Sequence, residues 1–218
     1  MRDFVQPRVL TLAAVAALVS TVLCYPRLAE WSKREDALWF LEVMIFCCGT
    51  VPWGFVFAWH TRYTACPVFT FGIGPKWLTV ATAAGCVIAA FLYLFIDPTL
   101  RQLVPEDYPA NVRDWLARLS FSLGLTQLFI LYAPFDWLMR LGKHRGFATA
   151  GTVIFGVVVL VMSIRSEKVA LGPLMVSAQI LTRIISGYLA IQLYLRGGLL
   201  LVYWFAIVVQ ARHLLNFQ

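Results

Sequence analysis

The sequence of 218 residues is 61% hydrophobic and 13% charged, whereas soluble domains contain about 45–50% apolar and about 25% charged residues. This composition excludes an ordinary water-soluble globule. The 18 Lys and Arg exceed the 11 Asp and Glu, for a net charge of +7, and the charges lie in short gaps between long apolar runs. Because no gap is long enough for a soluble domain, we expect residues 1–218 to form a single integral membrane domain.

The positive charges flank apolar segments singly or in threes, as at Arg140, Lys143 and Arg145. A nucleic-acid-binding protein concentrates such charges on one face, so we expect the lipid bilayer as partner and no nucleic acid. Another membrane protein or a peptide is a further partner to consider. The five cysteines form no CxxC pair and no Cys/His pair at metal spacing, so we expect neither a metal nor a cofactor. Compact size favours a bacterial inner membrane.

Seven apolar stretches approach the length of a spanning helix, which is about 20 residues. They predict an all-α, polytopic transmembrane bundle of about seven spans. The predicted spans cover residues 9–25, 38–59, 77–96, 119–139, 147–164, 171–195 and 199 to about 209. The first span follows two arginines but no A-x-A cleavage site, which predicts a retained helix and not a signal peptide.

The polar stretch 97–118 separates the third and fourth predicted spans. Asp114 and Arg118 are four residues apart, a spacing that allows an ion pair on one helical face. The pair predicts a short interfacial helix that leads into the fourth span. A plain solvated loop is the alternative.

Ionisable groups inside apolar spans are costly and therefore mark candidate functional sites. These groups are Glu42, Asp136, Arg183 and, near the end of the last span, Arg212 and His213. Structural pairing is the alternative to function for each, since Arg183 could neutralise Glu42 and Arg140 could form a boundary ion pair with Asp136. His60 and His144 follow span ends in basic loops. The sequence has no HExxH, GxSxG or Walker motif.

The stretch 187–199, GYLAIQLYLRGGL, is followed by an apolar helix that carries Trp204. It resembles the closing segment of the CPBP intramembrane proteases, a family that includes CAAX-prenyl endopeptidases, and the resemblance is strongest over 119–218. It implies a helical bundle around a water-reachable cavity. In the family, Glu and His residues in that cavity activate water for peptide hydrolysis, with or without a metal.

The resemblance also places neutral residues where the family has catalytic ones. Thr126 and Gln127 occupy the positions of two glutamates, Val159 that of one histidine and Gln210 that of another. Hydrolysis in such a cavity requires a base or a metal-bound water. The side chains at these four positions supply neither, so the resemblance implies a catalytically silent site.

Three functional hypotheses follow from these observations. The first is a non-catalytic CPBP relative that acts in binding, scaffolding or regulation of another membrane component. The second is an active CPBP/CAAX-type endopeptidase that uses displaced catalytic residues, for which the candidates are Glu42, Asp136 and His213. The third is a small transporter or lipid-handling protein, because fold similarity does not guarantee activity.

Overall fold

A computed structural model of the chain describes residues 4–32, 37–166 and 171–217. Within these ranges the protein is almost entirely helical and contains no β-strand. The predicted all-α class is confirmed. The eight α-helices of the described ranges are α1 (Pro7–Ser32), α2 (Leu38–Thr64), α3 (Pro75–Phe91), α4 (Asp97–Leu103), α5 (Val112–Phe121), α6 (Ala133–Gly142), α7 (Arg145–Ser166) and α8 (Pro173–Gln210).

Short stretches of π-helix and 3-10 helix join several of these helices. The π-helical stretch Leu92–Ile96 connects α3 to α4, and two more, Ser122–Thr126 and Leu128–Tyr132, lie between α5 and α6. A 3-10 turn at Ala211–Asn216 continues α8. Asp114 and Arg118, on which the predicted interfacial helix was based, lie in α5, and α5 continues through the π-helical stretches into α6.

Six segments of the described chain are long and apolar enough to cross a membrane. They are Pro7–Glu30, Leu38–Thr64, Pro75–Leu103, Val112–Gly142, Arg145–Arg165 and Pro173–Leu215. The count differs from the predicted seven because the stretches predicted as the sixth and seventh spans lie in one element, α8. Each segment exceeds the length that about 30 Å of hydrocarbon requires.

The described helices form two compact units. Unit 1 comprises Met1–Val68 and Arg113–Ala148, and unit 2 comprises Phe69–Val112 and Thr149–Gln218. Unit 1 thus holds α1, α2, α5 and α6, whereas unit 2 holds α3, α4, α8 and most of α7.

In unit 1, α1 packs along α2 and against the π-helical start of the fourth span. Cys24 and Leu28 of α1 pack with Leu41 and Ile45 of α2 in a buried apolar cluster. A Cβ added to Gly124 would lie 3.1 Å from the backbone oxygen of Ser20. The absence of a side chain at Gly124 therefore allows the fourth span to approach α1 closely.

In unit 2, α3 lies beside the second part of α8. The Arg196 guanidinium carbon is 4.6 Å from the centre of the Trp77 ring, and Trp204 Nε1 donates to Thr82 Oγ1 at 2.8 Å. The contact further along α3 is also the contact further along α8, so α3 and the second part of α8 run parallel. A Cβ at Gly85 would lie 2.8 Å from Val208 Cγ1, which shows close packing.

The first part of α8 instead makes side-chain contacts with α7 near Gly156 and Gly187. The glycines show how closely the helices approach. A Cβ added to Gly156 would lie 3.1 Å from Arg183 Nε, and a Cβ added to Gly187 would lie 3.6 Å from Val153 Cγ2. Residue numbers fall along α7 as they rise along α8, so this pair is antiparallel.

The two parts of α8 meet at Gly198, whose backbone is not helical. Its φ of 62° and ψ of −159° lie in a region that only glycine adopts readily. Phe69, in the loop before α3, forms an isolated antiparallel bridge with Gly198. The glycine is therefore a structural requirement of the break in α8.

We predict that Gly198→Ala destabilises the protein by about 1–3 kcal/mol, because a Cβ is strained at this backbone geometry. Gly187→Ala is the matched control in the same helix, since its Cβ would meet only ordinary van der Waals contact. The control should be neutral or stabilising by up to about 1 kcal/mol, as alanine favours helix over glycine. Unfolding of both purified variants in detergent, followed by circular dichroism, checks this. Equal stability of the two variants would contradict it.

Candidate functional site

A histidine and an aspartate form a fully buried pair in unit 1. His60 Nδ1 lies 2.8 Å from Asp136 Oδ1, and both side chains are 0% exposed. An ionised carboxylate can only accept hydrogen bonds, so Nδ1 carries the proton between them when Asp136 is charged. The pair joins α2 to α6, two helices that are 76 positions apart at this contact.

Additional contacts surround this pair at the C-terminal end of α2. The Thr64 hydroxyl donates to the backbone oxygen of His60 at 2.6 Å, and Arg145 donates to the backbone oxygen of Thr64. The Arg140 guanidinium carbon lies 4.4 Å from the centre of the Trp59 ring. The last turn of α2, whose terminal carbonyls lack helical partners, is thus bound by side chains from α6 and α7.

Two sequence-based interpretations change at this site. His60 was predicted to follow the second span in a basic loop, but α2 continues to Thr64 and buries it. The spacing of four allows Asp136 to pair with Arg140, but in the structure the Asp136 carboxylate bonds to His60 of α2. Local spacing could not indicate this contact, because the partners are remote in sequence.

A second network in unit 2 centres on Asp97, which begins α4. Arg212 Nε donates to Asp97 Oδ2 at 2.9 Å, and Tyr108 Oη donates to Asp97 Oδ1 at 3.1 Å. The Asp97 side chain is 3% exposed and that of Arg212 is 12% exposed. The network connects the end of the third span, the loop after it and the C-terminal 3-10 turn.

Two further side chains, those of Arg101 and His213, contact the Tyr108 ring. The Arg101 guanidinium carbon is 4.9 Å from the centre of this ring, and the His213 ring contacts it edge-on at 5.6 Å. Burial, together with the negative charge and hydrogen bond of Asp97, raises the pKa of the Tyr108 hydroxyl well above its usual value. Tyr108 therefore remains a protonated donor to Asp97 at every physiological pH.

A third polar group, partly buried in unit 1, contains the predicted Asp114–Arg118 ion pair. Arg118 Nε lies 2.9 Å from Asp114 Oδ1, and Arg27 of α1 approaches the same oxygen at 3.4 Å. Arg27 also pairs with Glu30 at 2.8 Å. The local prediction is confirmed, and α1 supplies a partner that the spacing did not indicate.

The residues at the family positions fall in both units. Thr126 and Gln127 lie at the end of a π-helical stretch in unit 1, whereas Val159 of α7 and Gln210 of α8 belong to unit 2. All four side chains are partly buried. Of the displaced candidates, Asp136 and His213 are buried and Glu42 is partly buried in α2. Glu42 and Asp136 belong to unit 1 and His213 to unit 2.

Arg183 lies within the first part of α8, against Gly156 of α7. Among the described residues of unit 2, no carboxylate forms an ion pair with it. The described residues also contain no group of three or more His, Cys, Asp or Glu that could hold a metal ion.

Comparison with protein-family models, with curated proteins and with solved structures gives no match to this chain.

We predict that Asp136→Ala destabilises the protein by about 3 kcal/mol, because it removes one partner of a buried pair. Asp136→Asn retains the shape and an acceptor for Nδ1, so it should cost only about 1 kcal/mol. Asp107→Ala is the surface control, since this carboxylate is exposed, and it should change stability by less than about 0.5 kcal/mol. The unfolding midpoints of wild type and the three variants, measured in detergent, test this order of stabilities. Indistinguishable effects of Asp136→Ala and Asp107→Ala would show that the pair stabilises nothing.

Proposed function

We propose that the chain is an integral membrane protein that binds another membrane component and does not hydrolyse peptides. In terms of the sequence resemblance, it is a non-catalytic CPBP relative that acts in binding, scaffolding or regulation. Composition and compact size support a bacterial inner membrane as its location. The observation that carries the proposal is the complete burial of the His60–Asp136 pair.

A hydrolytic base must reach both water and the scissile bond within about 3 Å. Neither His60 nor Asp136 exposes any surface, and each already bonds to the other at 2.8 Å. The network of Asp97 likewise engages Arg212 and Tyr108. These groups support a structural role for the buried charges, because pairing offsets the cost of placing them in the hydrocarbon region.

The neutral side chains at the family positions support the same proposal. Thr126, Gln127, Val159 and Gln210 carry no ionisable group, so none can act as a general base at neutral pH. Gln127 retains the shape and hydrogen-bonding capacity of a glutamate without its charge. Such residues preserve interhelical hydrogen bonds, which are worth on average about 0.6 kcal/mol in membranes, while the hydrolytic chemistry is lost.

One observation favours a second candidate, an active intramembrane endopeptidase. A carboxylate that holds an imidazole by Nδ1 leaves Nε2 as the base, which is the arrangement in Ser-His-Asp hydrolases. A helix movement that admitted water to His60 would convert the buried pair into such a base. In that case Asp136 would orient and stabilise the imidazole.

We predict that the purified protein in lipid vesicles cleaves no transmembrane peptide above the background of empty vesicles. The binding proposal requires that wild type, His60→Gln and Asp136→Asn give equal and negligible rates, measured by mass spectrometry of the peptides. Glu42→Gln and His213→Ala extend the test to the other displaced candidates. Cleavage by wild type that is lost in any of these variants would establish the endopeptidase instead.

We also propose that the sixth segment makes two passes and turns back at Gly198, which accounts for the seven spans that hydropathy predicts. A straight helix over Pro173–Leu215, 43 residues, would be about 65 Å long, twice the hydrocarbon thickness of about 30 Å. Its second part lies along α3 through Thr82–Trp204 and Trp77–Arg196, and so occupies the same layer of the membrane as α3. The apolar first part can enter that layer only by folding back.

This topology predicts which side of the membrane each end of α8 faces. With two passes, the single-cysteine variants Gly172→Cys and Phe217→Cys are labelled by a membrane-impermeant maleimide from the same side, and Phe71→Cys from the opposite side. Phe71 is 88% exposed in the loop before α3. All three are made in a background without the five native cysteines. Labelling of positions 172 and 217 from opposite sides would establish a single pass.

A further inference from the structure

Three chain segments meet at one end of unit 1: the start of α1, the end of α2 and the turn between α6 and α7. Val9 of α1 packs with Ala58 and Trp59 of α2 in a buried apolar cluster. Arg145, the first residue of α7, donates to the backbone oxygen of Thr64, the last residue of α2. We call this region the basic end, because five basic residues lie in these segments: Arg8, Arg62, Arg140, Lys143 and Arg145.

The described carboxylates of unit 1 do not balance this charge at the surface. Asp136 is the one that lies near the basic end, and it is fully buried against His60. The other three lie towards the opposite end of the unit, where α1 ends and α2 and α5 begin: Glu30, Glu42 and Asp114. Four of the five basic side chains are exposed: Arg8, Arg62, Lys143 and Arg145. The basic end therefore presents a local excess of positive charge.

Contacts with α2 hold two of the arginines in place. The Arg140 guanidinium carbon lies 4.4 Å from the centre of the Trp59 ring, and Arg145 uses one guanidinium nitrogen to bond to Thr64. A guanidinium has five N–H donors, so the exposed Arg145 retains donors for a further acceptor. Because these side chains are already ordered, an anion that binds them pays less of the usual ordering entropy.

An exposed apolar surface adjoins these charges. Trp137 and Leu141 of α6 are 47% and 59% exposed. At about 100° per residue, Trp137 lies about 40° from Leu141 and about 60° on its other side from Arg140, so the three share one side of α6. Phe147 is 52% exposed, and its ring lies where a Cβ of Gly142 would be. The apolar surface is thus continuous from α6 to the start of α7.

Charge and apolar surface together fit an anionic phospholipid. The phosphate of its headgroup supplies the acceptors that guanidinium and ammonium groups bind, and its acyl chains can cover the exposed apolar side chains. Clusters of about four to eight Lys and Arg directly beside a membrane-spanning helix are typical of proteins that bind anionic lipids. A zwitterionic headgroup adds a cation of its own, which the basic end repels. A soluble phosphate would match the charges alone.

We infer that the basic end of unit 1 binds the headgroup of an anionic phospholipid, whose acyl chains lie along Trp137, Leu141 and Phe147. The inference goes beyond the function proposed above. It applies equally to a binding protein and to an endopeptidase, because the surface does not include the buried His60–Asp136 pair.

The test uses the purified full-length protein in an uncharged detergent, titrated with phosphatidylglycerol or with phosphatidylcholine of the same acyl chains. Native mass spectrometry counts the lipids bound to each protein. We expect the first phosphatidylglycerol to bind at least about tenfold more tightly than the first phosphatidylcholine. The double variant Arg8→Gln/Lys143→Gln should weaken phosphatidylglycerol binding at least about fivefold, which is the contribution of one basic residue near a membrane surface.

Arg113→Gln/Arg165→Gln is the matched control, because it removes the same net charge from two exposed arginines outside the basic end. Arg113 lies at the start of α5, and Arg165 lies twenty residues after Arg145 on α7. The control should bind phosphatidylglycerol as wild type does. Equal losses in the two double variants would assign the effect to net charge and overturn the inference. Equal affinity of wild type for the two lipids would also overturn it.

Two competitors distinguish other anionic ligands. Glycerophosphoglycerol, which is the same headgroup without acyl chains, should not displace the bound lipid at equal concentration. Displacement by it would identify a soluble phosphodiester as the ligand. A soluble Glu-rich peptide should likewise fail to displace the lipid, and displacement by it at equal concentration would identify an acidic protein segment. Either displacement would overturn the inference.

Discussion

Each charge inside the apolar layer needs a compensating partner, and this requirement shapes both units. The cost of an unpaired charge there is at least about 2.5–3.5 kcal/mol, even on insertion scales that give the lowest values. In unit 1, His60 meets the requirement for Asp136 at 2.8 Å. In unit 2, Arg212 and Tyr108 meet it for Asp97. Both contacts join elements far apart in sequence, so the same bonds that compensate the charges also hold the helices together.

Departures from ideal helix geometry precede both aspartates. The π-helical stretch Leu92–Ile96 ends directly before Asp97, and Leu128–Tyr132 ends four residues before Asp136. A π-helical turn accommodates an extra residue, so it changes the face on which the following side chains lie. Such turns are common at functional sites, and here they set the direction from which each carboxylate meets its partner. Gly198 has a comparable effect on α8, where a positive φ separates two helical parts with different neighbours.

Local features of this fold could be predicted from the sequence, whereas long-range contacts could not. Apolar runs of spanning length gave the helical class and most segment positions, because hydropathy and helix length are properties of contiguous residues. The Asp114–Arg118 pair followed from its spacing of four. The His60–Asp136 bond depends on packing between α2 and α6, and it needs a register that the π-helical stretches alter. No fixed helical period predicts that register.

The count of spans illustrates the same limit in a different form. The sequence predicts separate sixth and seventh spans because Arg196, Gly197 and Gly198 interrupt the apolar run, but composition cannot tell a loop from a break within a continuous helical element. The structure places the interruption at a single residue, Gly198, with φ of 62°. Gly198, which interrupts the hydropathy of the run, is therefore needed for backbone geometry.

Among the described residues of unit 2, Arg183 is an exception to the requirement that each charge inside the apolar layer has a compensating partner. Asp97 acquires a cation from an element remote in the chain, yet the antiparallel packing of α7 and α8 gives Arg183 a glycine, Gly156, instead of a carboxylate. A glycine makes room for the guanidinium without compensating its charge. A side chain so costly in hydrocarbon would be replaced by leucine without loss if stability alone mattered.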